Sequence, residues 1–183
     1  MGPVSAAVKM NDFATLWTRT EILSAHGPSP NFDIRALLID DQEACERFCQ
    51  QLDVGDIRMR FASPQAAIQY VLPGLSGPGS DVAFAAIEAA GSIVGIVNLA
   101  VLESDMAEVA LIVRSDRKRC GIGRALLTRA IAHSQSIGIA QLAGYVLAEN
   151  RPMLELARSM GFESRRWDRF FIEVSRSIAP PRH

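Results

Sequence analysis

The chain lacks any run of about eighteen uncharged apolar residues, so a membrane-spanning helix is not expected. It also lacks a marked excess of either charge. Nineteen Lys and Arg stand against twenty Asp and Glu, for a net charge of −1, which disfavours a wholly basic nucleic-acid binder. Cysteine is scarce. Cys45, Cys49 and Cys120 make an odd number without paired metal-ligand spacing, so neither a disulfide framework nor a metal site is expected, and a reducing cytoplasm fits. The N-terminus has no basic start followed by an apolar run and a small-residue cleavage site, so secretion is not indicated. What remains is ordinary. The 183 residues are 49% apolar and 21% charged, the composition of one soluble globular domain.

Residues 1–31 are poorly patterned and include the helix-stopping His26-Gly-Pro-Ser-Pro30. They read as a loosely held arm; a segment packing on a partner subunit, as in a homodimer, is the sharper alternative. From residue 32 to 183 the chain reads as one domain. A short strand over 32–38 leads into Asp40 and Asp41, acidic caps for a helix whose inner face is Ala44, Cys45, Phe48, Cys49 and Leu52. The two cysteines at that spacing are small core residues. Short helices are expected over 56–61 and after Ser63-Pro64. Beyond the turn-rich segment 73–79, strands over 82–87, 92–102 and 107–113 with short connections imply an antiparallel meander. A helix follows, with Ile122, Leu126, Ala130, Ile131 and Ile137 inward and Gly138 at its end. Then come a strand over 141–148, a helix capped by Asn150 with Met153, Leu156, Ala157 and Met160 inward, and a strand over 170–174.

The informative segment joins a strand to a helix: Val113-Arg-Ser-Asp-Arg-Lys-Arg-Cys-Gly-Ile-Gly-Arg124. Gly121 and Gly123 let the backbone turn sharply and present consecutive N–H groups at a helix start, a concavity suited to phosphate oxygens. Arg114, Arg117, Lys118, Arg119, Arg124 and Arg129 lie close by, opposed only by Asp116. The bland alternative is a solvated basic loop. A nucleotide-triphosphate loop would end in Lys followed by Ser or Thr, which is absent. A dinucleotide fingerprint would need a small residue at Leu126 and an acidic one near Ala143. Neither condition is met.

Lys118-x-x-Gly121-x-Gly123, in this order of elements, resembles the GNAT family of acyl-CoA-dependent N-acyltransferases. Lys118 replaces the family's Gln or Arg, and Arg119 stands where glycine is common. A second block agrees: Asn150 opens a helix, with Gly161-Phe162 eleven and twelve residues later. The form Ala148-Glu-Asn-x-x-Met-Leu154, together with the blocks 56–61 and 108–116, resembles the catalytic domain of bacterial protein lysine acetyltransferases. The likeness spans about residues 32–174. It implies an α+β GNAT fold, with a central mixed, mostly antiparallel twisted sheet flanked by helices. It also implies an acetyltransferase that uses acetyl-CoA.

Acyl transfer to an amine needs a proton acceptor, because a free lysine titrates near ~10.4. Glu108 is the candidate. It shares a strand face with Ala110 and Ile112, where desolvation is expected to raise its pKa, and the resemblance places the general base there. A solvent-facing glutamate is the alternative, and Glu103, nearer the turn, a weaker substitute. The resemblance further implies that the backbone of Ile112 and Val113 meets the thioester and pantetheine. The diphosphate would rest on N–H groups of Arg119, Cys120, Gly121, Ile122, Gly123 and Arg124, with Lys118 and Arg124 adding charge. Asn150 would reach the pantetheine as well as cap its helix. Many family members carry a Tyr acid seven residues after this Asn; here the position is Ala157. A thiol of pKa around ~8.5 can leave as thiolate, so such an acid is not obligatory. His26, His133 and His183 have no nucleophile or metal spacing, and Cys120 reads as a small loop residue. A protein lysine is the expected acceptor. Small-molecule amines and a catalytically silent acyl-CoA sensor remain as alternatives, and nucleic-acid binding through 117–129 is a weaker one.

Overall fold

The computed structural model describes residues 31–61, 82–103 and 105–178. The expected arm, the helix after Ser63-Pro64 and the segment 73–79 lie outside them. In chain order the elements are β1 (Phe32–Ala36), α1 (Gln42–Gln50), α2 (Val54–Phe61), β2 (Val82–Glu88), β3 (Ile93–Glu103), β4 (Met106–Val113), α3 (Ile122–Ser136), β5 (Gln141–Leu147), α4 (Arg151–Ser159), β6 (Glu163–Arg166) and β7 (Phe171–Ser177). The seven strands form one sheet in the order β1-β2-β3-β4-β5-β7-β6. Every neighbouring pair is antiparallel except β4 and β5, which are parallel. The expected meander is β2-β3-β4. Among the described residues no helix is long and apolar enough to cross a membrane.

Alternation along the strands feeds two cores. On one face α3 presents Ile122, Leu126, Leu127, Ala130 and Ile131 to Phe84, Val94, Val97, Ala107 and Val109. On the other, Cys45, Phe48, Cys49 and Leu52 pack with Ala83, Ala85, Ile96 and Ile112. A fully buried side chain the size of Phe48 contributes about 1.5–3 kcal/mol. Both cysteines are thus core residues. Burial, with Asp41 beside it, pushes the Cys45 thiol up to about 12, and burial with Glu46 nearby pushes Cys49 to about 11.

Two local expectations are corrected. Asp40 and Asp41 do not cap α1 through their side chains. Asp41 instead accepts the Leu38 N–H at 2.8 Å and pairs with Arg35 at 2.6 Å, closing a short 3-10 turn ahead of the helix. Ile137 is exposed rather than inward, because α3 ends at Ser136 and the chain turns through Gly138. The inward set on α4 packs on the core as expected, Ala157 fully buried and Met153, Leu156 and Met160 half-buried against it. The strand β6 has no hydrophobic alternation to announce it: Glu163, Ser164, Arg165 and Arg166 are all exposed, and pairing with β7 alone makes it a strand.

Candidate active site

The parallel ladder between β4 and β5 covers only Met106↔Gln141, Ala107↔Leu142 and Glu108↔Ala143. From Val109 to Val113, β4 continues in register with β3 alone. One residue beyond the ladder, Gly144 is held against β4 so closely that an added Cβ would lie 2.7 Å from the Val109 carbonyl oxygen. The strands therefore touch there and diverge beyond, and the wedge between them is open.

Two adjoining spaces occupy the wedge. A cleft of about 820 Å³ runs along Leu111, Ile112 and Val113 to the loop 117–124 and α4. A smaller cavity of about 220 Å³ holds Glu108, with Arg60, Tyr145 and Phe171 in its walls. Met59, Arg60, Leu111, Asn150 and Met153 line both. Glu108, Ala110 and Ile112 alternate toward α2, which carries Arg58, Met59 and Arg60 over this face. Burial pulls the Arg60 guanidinium down to about 10, and the Glu108 carboxylate pulls in the opposite direction. Arg60 is cationic at neutral pH.

The glycine loop is built as a nest. After a 3-10 turn over Ser115–Arg117, Arg119 adopts φ 65° and Gly121 φ 81° at the entry to α3. Arg119 thus takes a left-handed conformation that glycine adopts more easily. Among the described residues, none of the backbone N–H groups from Arg119 to Arg124 donates to another protein group. They sit at the positive end of the α3 dipole. Gly123 packs tightly; an added Cβ would meet the Leu156 side chain at 3.1 Å.

The basic patch is smaller than its count suggests. Arg114 pairs with Asp116 at 2.7 Å, Arg117 with Glu88 at 2.5 Å, and Lys118 with Asp56. Arg129 lies over the Phe84 ring at 4.7 Å. Among the described residues, Arg119 and Arg124 have no carboxylate partner, and both line the cleft. Arg124 also donates to Ser159 Oγ at 2.7 Å, tying α3 to α4.

The other sequence-derived residues fall as follows. Ile112 is buried and Val113 half-buried, both along the cleft. Lys118, Gly121 and Ile122 line it too, whereas the exposed Cys120 side chain does not; its thiol lies 3.5 Å from the Lys118 carbonyl oxygen. Asn150 caps α4 by accepting the Met153 N–H at 3.3 Å. Ala157 lines the small cavity and brings no hydroxyl. Among the described residues there is no cluster of metal-ligating side chains. Sequence reasoning assigned no role to Asp56, Arg60 or Tyr145. Asp56 and Arg60 lie in a block already singled out by resemblance, but their partners come from elements distant in the chain.

A splayed parallel pair beside a glycine nest at a helix entry defines a nucleotide-thioester acyltransferase class of site. The model of the acetyltransferase (GNAT) family matches residues 43–162, about two thirds of the chain, and the chain belongs to that family. Solved structures share the fold. The GNAT domain of S. lividans PAT superposes with a TM-score of 0.71 at 21% identity, over 80% of this chain and 90% of that one. The ribosomal-protein-S18-alanine N-acetyltransferase from Escherichia coli gives 0.62 at 22% identity, over 81% and 94%. Spermidine N-acetyltransferase from Vibrio cholerae, in complex with CoA and spermine, gives 0.62 at 16%, over 80% and 95%.

Proposed function

We propose that the protein moves the acetyl group of acetyl-CoA directly to the side-chain amine of a protein lysine, in the cytoplasm, with Glu108 as general base. One observation carries this reading: Glu108 closes the β4–β5 ladder inside a cavity that adjoins the cleft ending at the glycine loop, whose N–H groups from Arg119 to Arg124 have no protein acceptor among the described residues.

The diphosphate rests on the N–H groups of residues 119–124, with the charges of Arg119 and Arg124 at its rim. Lys118 is held by Asp56, so its charge supports the loop. The pantetheine arm passes between Asn150 and the unpaired edge of β4. The Arg114 N–H bonds to the Val94 carbonyl, so by alternation the Ile112 N–H also faces β3; the Val113 N–H faces the cleft and meets the thioester carbonyl, while Ile112 contributes only its place along the wall. The acceptor amine enters the smaller cavity. As its nitrogen bonds to the carbonyl carbon, Glu108 takes its proton; the tetrahedral oxyanion then collapses, forming the amide and breaking the C–S bond. The thiolate leaves and is protonated by water, since Ala157 offers no acid. Arg60 keeps a positive charge beside Glu108 without supplying a proton at neutral pH.

Intact-mass analysis after incubation with acetyl-CoA, lysine-bearing peptides and small amines tests the acceptor. Acetyl units on lysine Nζ are expected. Acetylation confined to small amines sinks the lysine assignment.

A further inference from the structure

Three large aromatic rings stand exposed, one on β5 in the wall of the Glu108 cavity and two in the turn between β6 and β7. Tyr145, itself a wall of that cavity, is 44% exposed, Trp167 55% and Phe170 56%. Tyr145 and Trp167 meet edge to face, with ring centroids 5.1 Å apart and 66° between planes. Register explains why they share a face with the base. Glu108 pairs with Ala143, Tyr145 lies two residues further along β5, and Tyr145 pairs with Glu173, which pairs in turn with Arg165. Two residues past Arg165 comes Trp167. One strand spacing and two residue rises put the Glu108 and Tyr145 Cα atoms about 8 Å apart, close enough for a lysine side chain lying along Tyr145 to meet the Glu108 side chain reaching toward it.

The turn that carries the rings is firmly built. Asp168 Oδ1 accepts both the Phe170 and Phe171 N–H groups at 2.7 Å, and the Trp167 N–H donates to the Phe171 carbonyl at 3.1 Å. Asp168 Oδ1 is thereby engaged by backbone, and the same turn carries Arg166 and Arg169. Arg169 lies over the Phe170 ring at 4.6 Å, and Arg166 donates to the carbonyls of Asp168 and Arg169. Among the described residues neither Arg166 nor Arg169 has a carboxylate within ion-pair distance. Exposed Trp and Tyr beside Arg is the composition of protein-docking surfaces, since the rings bring large apolar area at little conformational cost.

We infer that Tyr145, Trp167 and Phe170, with Arg169 at their edge, form the docking surface for the acceptor polypeptide and select lysines with an acidic side chain close by in sequence. This rests on the protein-lysine reading of the same site. The lysine stem lies along Tyr145 toward Glu108, the flanking backbone crosses Trp167 and Phe170, and an acidic neighbour of the lysine meets the Arg169 guanidinium, which has no carboxylate partner among the described residues. A small amine reaches Glu108 without touching Trp167 or Arg169.

The test compares kcat/KM, read as CoA thiol release, for three acceptors: a lysine peptide with glutamate flanks, the same peptide with arginine flanks, and n-butylamine. The wild-type protein is expected to favour the acidic peptide over the basic one by about tenfold or more. Trp167→Ala is expected to lower kcat/KM for both peptides by about tenfold through KM, and Trp167→Phe to recover most of it. Turnover of n-butylamine and KM for acetyl-CoA should not move, which separates docking from a structural effect. Arg169→Glu should reverse the flank preference. Peptides acetylated with equal efficiency whatever their flanks, or by Trp167→Ala as well as by wild type, overturn the docking surface alone. Turnover of n-butylamine with no peptide acetylated overturns the protein-lysine reading, and the docking surface with it.

Discussion

Asp56 and Lys118 are an ion pair that joins two walls of the cleft. The Asp56 carboxylate, 5% exposed on α2, takes the Lys118 ammonium and the Ser115 hydroxyl, the latter at 2.6 Å. The helix that covers Glu108 is thereby fastened to the start of the glycine loop.

Asp56→Asn removes that fastening and leaves a buried site without its negative charge. The loss of a buried partner typically costs about 1–3 kcal/mol. A lower Tm and a several-fold higher KM for acetyl-CoA are expected, with kcat changed less. Steady-state kinetics and thermal unfolding check this; an unchanged KM means the loop is held by other contacts.

Gly144→Ala drives a methyl group into the Val109 carbonyl, a backbone atom that cannot swing aside. The strands must part at the point that positions Glu108. Overpacking of this kind costs about 1–3 kcal/mol, and kcat should fall more than KM for acetyl-CoA rises. Wild-type kcat in this variant would show that the β4–β5 contact does not place the base.

Much of this arrangement was legible beforehand, for physical reasons. Helical spacing announced Cys45, Phe48 and Cys49 as core, and glycines before an amphipathic run announced the nest. Asn150 declared its own cap. What stayed hidden depends on partners distant in sequence. The charge count promised a broad basic patch, yet Glu88, Asp56 and Asp116 take three of its cations. Arg119 stands where the resembled family commonly has glycine, but only the fold reveals the φ of 65° that goes with that position. An all-polar edge strand such as β6 has no pattern of its own.

Thiol chemistry separates the three cysteines. Burial raises Cys45 and Cys49 to about 12 and about 11, whereas Cys120 is exposed in the loop. Brief alkylation of the native protein should label Cys120 alone. Saturating CoA should slow that labelling if the loop grips the diphosphate. Labelling at a rate indifferent to CoA counts against that grip.

His133 couples stability to pH. It is half-buried, its ring edge-to-face with Phe84 at 5.3 Å, and burial, then the neighbouring Arg129, hold its pKa below the ordinary 6.5. The unfolded chain therefore binds the proton first as pH falls, so stability is lost on going below about 6.5 toward the folded value. The Tm of wild type should drop between pH about 7.5 and about 5.5, and His133→Gln should flatten that drop. Parallel curves for the two proteins would assign the pH dependence elsewhere.

The central claim is that the carboxylate at the end of the β4–β5 ladder takes the proton from the attacking amine. The pH profile of kcat/KM for Glu108→Gln, measured alongside calorimetric CoA affinity, tests it most directly. The account predicts unchanged CoA affinity and a loss of about 10²–10⁴ in turnover, as expected when a general base is removed. Residual activity should rise with pH as the free amine becomes available. Wild-type turnover with an unaltered profile would contradict it.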